Sequence, residues 1–186
     1  MDRLLIVGHG SIGKRHLSIF KKIYPTSCAA VLVRPDSLST RSADADMFFT
    51  NIHDAILFSP EAVIVANPSP FHCSYALRFA HLKCSFLIEK PLSTNSHESL
   101  AFIKAAQSFS LNCHVAYNLR HLTSLQLFRE LIQSDAIGEI LTVHSSVGQY
   151  LPDWRNSTDY KTDVTAQSSL GGGVLLELSH EIDYAI

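Results

Sequence analysis

Gly8, Gly10 and Gly13 fall in the spacing G-x-G-x-x-G, directly after the apolar run Leu4-Leu5-Ile6-Val7 and ahead of a helix-like segment. Glycines at those three places let a strand turn tightly, let backbone approach a pyrophosphate, and let the helix pack close on the strand. The amides of Ser11, Ile12 and Gly13 then stand unpaired at the positive end of a helix dipole, which is what an anion site needs. The spacing predicts a cradle for the phosphates of a dinucleotide; the competing reading is a plain structural turn.

Two further groups could do chemistry. Arg34 stands at the end of the second apolar run, where an acid would accept hydrogen bonds from a ribose 2′-hydroxyl and so favour NAD. An arginine instead attracts a 2′-phosphate through a charge-assisted, bidentate contact, so the position favours NADP over NAD. The alternative is a surface arginine, with Asp36 serving the ribose. Glu89-Lys90-Pro91 follows a buried run, at the strand end where doubly wound folds place their ligands. A lysine there can donate a proton or a hydrogen bond to an alcohol or carbonyl oxygen. Pro91 is a candidate for a cis bond that would set the direction of Lys90. As an isolated tripeptide such a group is most often no more than a strand end.

The elements that must position these residues are legible as alternating apolar runs and helical stretches. Strands are predicted at Leu4–Val7, Ala29–Val33, Ala62–Ala66, Phe86–Ile88 and Cys113–Ala116, with a weaker one near Phe48. Near-continuous Val/Ile/Leu runs fit strands buried on both faces of a parallel sheet. Ser69-Pro70 reads as an N-cap with proline at N1, opening a helix through Tyr75, Leu77 and Phe79. Asn95 and Glu98 read as a capping box ahead of Leu100, Ile103 and Ala106. The alternation argues for a doubly wound α/β domain over residues 1–120.

From residue 121 onward the pattern changes. Leu122 to Ile132 reads as a helix. Residues 139–150 alternate, with Leu141, Val143 and Val147 on one side and Thr142, His144 and Ser146 on the other, which predicts a half-buried antiparallel strand. A polar loop dotted with Trp154, Arg155, Tyr160 and Lys161 follows, and Gly171-Gly172-Gly173 leads into an apolar helix-like stretch, Val174 to Ile186. One half-buried strand does not stand alone, so the second domain (121–186) reads as incomplete or as borrowing strands from another copy.

The totals exclude several classes. Of 186 residues, 46% are hydrophobic and 17% charged, so a core is available and disorder is not expected. A net charge of −2 gives no general attraction to nucleic acid or an acidic membrane. The first residues enter an apolar strand-like run at once, so no leader is expected, and no run is long enough to span a bilayer. Cys28, Cys73, Cys84 and Cys113 lack C-x-x-C spacing, so neither a metal site nor a disulfide framework is indicated, and free thiols in a cytoplasmic protein are expected.

Taken in order, Gly8-His9-Gly10-Ser11-Ile12-Gly13-Lys14-Arg15-His16, Ala66-Asn67-Pro68-Ser69-Pro70-Phe71-His72 and Glu89-Lys90-Pro91 resemble the Gfo/Idh/MocA oxidoreductases. This is the group of glucose–fructose oxidoreductase and inositol 2-dehydrogenase. The resemblance continues through Tyr117-Asn118-Leu119-Arg120, Ile137-Gly138-Glu139-Ile140 and Gly171-Gly172-Gly173-Val174-Leu175-Leu176-Glu177. It implies a Rossmann domain followed by an α/β domain with an open, mostly antiparallel sheet. It also implies hydride transfer between NAD(P) and a hydroxyl carbon of a sugar, sugar derivative or cyclitol.

By the same resemblance Lys90 is the active-site lysine, and Asn67, Pro68, Glu89 and Asn118 lie along the cofactor. His180 works with the lysine at the reacting hydroxyl, while Trp154, Arg155, Tyr160 and Glu177 face the substrate. The usual pattern sets an acid four places before the histidine. Here Glu177 and His180 are three apart, which keeps both on one helix face but leaves Glu181 as a rival for the position, and a core or capping histidine is the competing reading of His180. The aromatic loop could equally be a solvated connection with one buried tryptophan. The resemblance further implies a longer chain than this one and a homo-oligomer formed through the C-terminal sheet. Two alternatives stay open: a shortened nucleotide-binding module without activity of its own, and a redox-neutral NAD-dependent glycosidase of the same fold.

Overall fold

Six apolar runs become six parallel strands. In the computed structural model, which describes residues 1–36, 44–154 and 159–186, these are β1 (Arg3–Val7), β2 (Cys28–Leu32), β3 (Met47–Phe49), β4 (Ala62–Val65), β5 (Ser85–Ile88) and β6 (Cys113–Val115). Their order is β3-β2-β1-β4-β5-β6, and all five neighbouring pairs are parallel. The predicted strand ends agree with the observed ones to within one residue. This order reverses direction between β1 and β4, and in such sheets ligands bind at the carboxyl ends beside that reversal.

Side chains alternate across the sheet, so each strand feeds two cores. Leu5 and Val7 join Ala30, Leu32, Val63 and Val65 on one face. There they meet Ala55, Cys73, Ala76, Phe79 and Phe102 of α2 (Ile52–Leu57), α3 (His72–Phe79) and α4 (Ser96–Ser108). Leu4, Ile6, Ala29 and Val31 pack on the other face against Leu17 and Phe20 of α1 (Ser11–Ile23). Burial on both sides is why these runs lack a polar alternate.

Two helix starts differ from expectation. Ser69 is not the cap of α3: a 3₁₀ turn at Ser69–Phe71 precedes the helix, with Pro68 in the cap position. The Phe71 N–H that Ser69 would have capped is already given to the Pro68 carbonyl at 2.9 Å. At α4, Asn95 Oδ1 accepts the Glu98 N–H at 2.9 Å as a capping box requires. The return bond runs through a third residue, because Ser93 Oγ donates to Glu98 Oε2 at 2.7 Å and accepts the Asn95 N–H at 3.3 Å.

The chain divides into two units, Met1–Val115 and Ala116–Ile186. In the second, α5 (Thr123–Gln133) forms as expected, one residue later than predicted. The predicted strand does not: residues 139–150 carry no regular secondary structure and are exposed throughout. A ladder needs a neighbour to take its N–H and C=O groups, and among the described residues no strand pairs with this segment. The expected helix over Val174 to Ile186 is broken into α6 (Val174–Glu177) and α7 (Ser179–Asp183). Leu178, at φ −100° and ψ 27°, leaves the helical region, and pieces this short have no propagating ladder to hold them straight.

All four cysteines are free. Burial pushes the Cys73 and Cys84 thiols up to about 11, so at pH 8 roughly one molecule in a thousand carries the reactive thiolate at either site. Iodoacetamide at pH 8 is expected to leave both unmodified in the native protein and to label both in urea, read by peptide mass spectrometry. Native labelling of Cys84 as fast as in urea would contradict this packing.

Candidate nucleotide-binding site

The turn from β1 into α1 is built from backbone alone. Gly8 takes φ +100°, and a Cβ there would lie 2.6 Å from the Ala66 carbonyl oxygen and 2.7 Å from the Asn67 nitrogen. A Cβ on Gly13 would run into the Gly8 carbonyl oxygen. These two glycines press the β1–α1 turn onto the loop after β4 and onto itself. Gly10 differs, because a Cβ there would meet none of the described residues within 4 Å. It sits at the N-cap of α1, which has no side-chain cap and no acid in its first turn. The first intrahelical bond is Lys14 N–H to Gly10 C=O at 3.0 Å, so the amides of Ser11, Ile12 and Gly13 have no partner in the helix ladder.

The neighbouring strand ends complete the site within the first unit. Asn67 and Pro68 follow β4, and Glu89-Lys90-Pro91 follows β5; both segments are partly buried. Asn67 Oδ1 is a buried acceptor without a hydrogen-bond donor among the described residues. An open glycine at an uncapped helix start, next to an unsatisfied buried amide oxygen, fits a dinucleotide: amides for the phosphates, an acceptor for a ribose hydroxyl or a carboxamide N–H. The Lys90–Pro91 bond is cis.

Two histidines tie this site together, and sequence reading gave neither a role. His16 Nε2 lies 2.6 Å from Glu89 Oε1, linking the second turn of α1 to the end of β5. His72 is 2% exposed, with Nδ1 2.8 Å from the Pro91 carbonyl and Nε2 2.7 Å from the Asn67 carbonyl. Burial pushes its imidazole below the ordinary value, while both carbonyls and Glu89 pull upward. One signal was available: His16 lies one helical turn past Gly13, on the side that faces the sheet.

Arg34 and Asp36, the two rivals for the ribose, lie together at the surface beyond β2, with Arg34 Nε 3.4 Å from Asp36 Oδ1.

The remaining predicted residues belong to the second unit, apart from Arg155, which lies outside the described residues. Asn118 is exposed at the start of a 3₁₀ turn, Asn118–His121. The His180 ring packs edge-on against Tyr117, centroids 5.5 Å apart. Arg120 grips Asp183 with two bonds of 2.8 and 2.6 Å, fastening α7 to that same turn. Glu177 and His180 lie on different helices because of the break at Leu178, so the expectation of one shared helix face is corrected. The buried Trp154 Nε1 has no acceptor among the described residues, and Tyr160 has Lys161 Nζ 6.0 Å from its ring centroid.

Comparison with known proteins decides the family. A model described as the oxidoreductase family with NAD-binding Rossmann fold, GFO/IDH/MocA, matches residues 3–117, and that of the GFO/IDH/MocA C-terminal domain matches residues 125–186. The chain belongs to the GFO/IDH/MocA oxidoreductase family. Glucose-6-phosphate 3-dehydrogenase of Bacillus subtilis is 23% identical over 179 residues, covering 92% of this chain and 51% of that protein. The 2,7-anhydro-N-acetylneuraminate hydratase of Escherichia coli is 23% identical over 180 residues, covering 96% and 47%. Among solved structures, scyllo-inositol dehydrogenase from Lactobacillus casei with NAD(H) and scyllo-inositol has a TM-score of 0.66 at 21% identity, covering 75% of this chain and 43% of that one. That likeness is one of fold. The chain spans about half or less of the length of the curated relatives it matches. No helix among the described residues is long and apolar enough to cross a membrane.

The three glycines of this GFO/IDH/MocA member should separate on substitution. Gly8→Ala and Gly13→Ala each are expected to cost about 1–3 kcal/mol in urea unfolding, because backbone must move. Gly10→Ala is expected to cost about 1 kcal/mol or less yet to weaken NADH binding by roughly ten-fold, since its methyl enters the space the phosphates need. Unchanged binding in Gly10→Ala would count against the cradle.

Proposed function

We propose that residues 1–120 bind a pyridine dinucleotide along the carboxyl ends of β1, β4 and β5. In the whole protein this domain serves hydride transfer between nicotinamide and a hydroxyl-bearing carbon of a sugar, sugar derivative or cyclitol. The observation that carries the reading is the uncapped start of α1 beside the open Gly10, at the sheet's reversal point. When bound, the nicotinamide supplies the hydride acceptor or donor.

The chain's residues bind, orient and handle the proton. The Ser11, Ile12 and Gly13 amides hold the phosphates, Asn67, Pro68 and Glu89 serve the nicotinamide end, and Asn118 is assigned to cofactor binding. Lys90 holds the proton at the reacting oxygen, and His180 is assigned the second proton-handling role. Residues 121–186 begin the substrate side. There Trp154 and Tyr160 offer aromatic faces, and Arg155 and Glu177 offer polar contacts to a polyhydroxylated ring.

Arg34 is assigned to the 2′-phosphate of NADP, in competition with its surface partner Asp36.

A second reading has one observation behind it. A relative matched over 96% of this chain is a hydratase, so a redox-neutral reaction on an anhydro-sugar acid uses the same site without net change in the cofactor. Net formation or net consumption of NADH or NADPH during turnover would exclude that reading, and a constant cofactor pool would exclude net oxidation or reduction of the substrate.

Fluorescence titration of the 186-residue chain with NADPH and NADH tests the cofactor site. Saturable binding of at least one is expected; no binding of either overturns the reading. Arg34→Ala should weaken NADPH by roughly ten-fold, the worth of one charge-assisted bond, while NADH changes less than about two-fold. Equal effects on both would remove Arg34 from the 2′-position. In sugar turnover by the protein, Lys90→Met should lower the rate by roughly a hundred-fold or more with cofactor affinity retained; an unchanged rate refutes its role.

A further inference from the structure

The ladder between β4 and β5 ends at Val65 and Ile88, with one further backbone bond from Glu89 N–H to the Val65 carbonyl at 2.9 Å. Asn67 and Lys90-Pro91 lie beyond it, where the sheet no longer sets their spacing. What joins them is the first residue of α3. The His72 ring stands between the Asn67 and Pro91 carbonyls at 2.7 and 2.8 Å, and Cys73 Sγ adds a weak contact to the Leu92 carbonyl at 3.4 Å. Both ring partners are carbonyl oxygens, which only accept, so the neutral ring that burial favours donates its one N–H to one of them and packs against the other. A ring buried to 2% exposure cannot swap either of them for water.

Building on the nucleotide reading above, we propose that His72 is a positioning residue. Its ring ties the loop after β4 to the loop after β5 and so fixes Asn67 Oδ1 and Lys90 as one preformed wall for the nicotinamide half of the cofactor. The phosphate cradle is held by a different contact, the backbone packing of Gly8 on Ala66 and Asn67 and of Gly13 on Gly8. Loss of the His72 tie therefore loosens one half of the site and spares the other. A ring that merely satisfies two buried carbonyls would not discriminate between the halves.

ADP-ribose separates them, because it carries the adenosine and both phosphates of NADH without the nicotinamide. Calorimetry on the 186-residue chain is expected to show His72→Leu weakening NADH by roughly ten-fold, the effect of a lost buried hydrogen bond, and ADP-ribose by less than about two-fold. His72→Gln, which keeps one N–H donor, should recover part of the NADH affinity. Equal losses for both ligands, or none for either, overturn the positioning role while leaving nucleotide binding intact. Wild-type protein that binds neither ligand overturns the nucleotide reading and this inference with it. A measurement on the wild type avoids any folding defect: NADH should shift the His72 ring signals in NMR and ADP-ribose should leave them in place. The same shift with both ligands contradicts the proposal.

Discussion

The close approach of backbone to backbone at the end of β1 governs the rest of the site. Gly8 at φ +100° abuts Ala66 and Asn67, and Gly13 abuts Gly8; neither contact leaves space for a side chain. Together they set where α1 starts relative to β4, and so where its first amides lie. Gly10 at the N-cap then forgoes a stabilising side-chain bond, since Ser, Asp or Asn there would satisfy one of those amides and strengthen the helix by about 1 kcal/mol. A local rule broken in this way marks a functional position more often than a defect. The helix gives up a little stability, and its donors stay open.

Most of the sheet was legible because of the constraint that builds it. A strand covered on both faces has no polar side to show, so Leu4–Val7 and Ala62–Val65 stand out as unbroken apolar runs bounded by glycine, asparagine or proline. Lys90 drew attention for a related reason, because it follows such a run and in this topology ligands bind at strand ends, whereas Asn67 was assigned by the family resemblance alone. The partners of the two histidines were not legible, although the place of His16 one turn past Gly13 was. His16 meets Glu89 across 73 positions of sequence, and His72 meets Pro91 across 19. No periodicity encodes a partner at that separation. The start of α3 was misread for a local reason, since the Pro68 carbonyl had already taken the N–H that Ser69 was expected to cap.

Within the second unit, local pattern and tertiary context part company. Alternation over 139–150 places Leu141, Val143 and Val147 on one side, but a pattern names a face without supplying the strand that would pair with it. Those side chains remain 85%, 67% and 48% exposed. The helix-like stretch after Gly173 breaks at Leu178, and five-residue α7 is too short to persist by its own ladder. Long-range contacts hold it instead: the paired bonds from Arg120 to Asp183 and the edge-on Tyr117–His180 contact. The Tyr117–Arg120 segment is thereby the frame on which His180 is displayed, a relation that spacing along the chain does not reveal.

The charges around the first-unit site follow from the same arrangement. A carboxylate near a phosphate cradle opposes the ligand, yet Glu89 stands at the end of β5, next but one to β1 in the sheet. Its oxygens are engaged: Oε1 by His16 at 2.6 Å and Oε2 by the Lys90 N–H at 3.3 Å. The first of these partners comes from α1 itself, the helix whose N-terminus carries the open amides. With no acid in its first turn and its own His16 bonded to Glu89, α1 keeps its positive end available to an anion. Glu89 at the same time anchors the backbone of Lys90, so the contact that restrains the carboxylate also orients the residue assigned to the reacting oxygen.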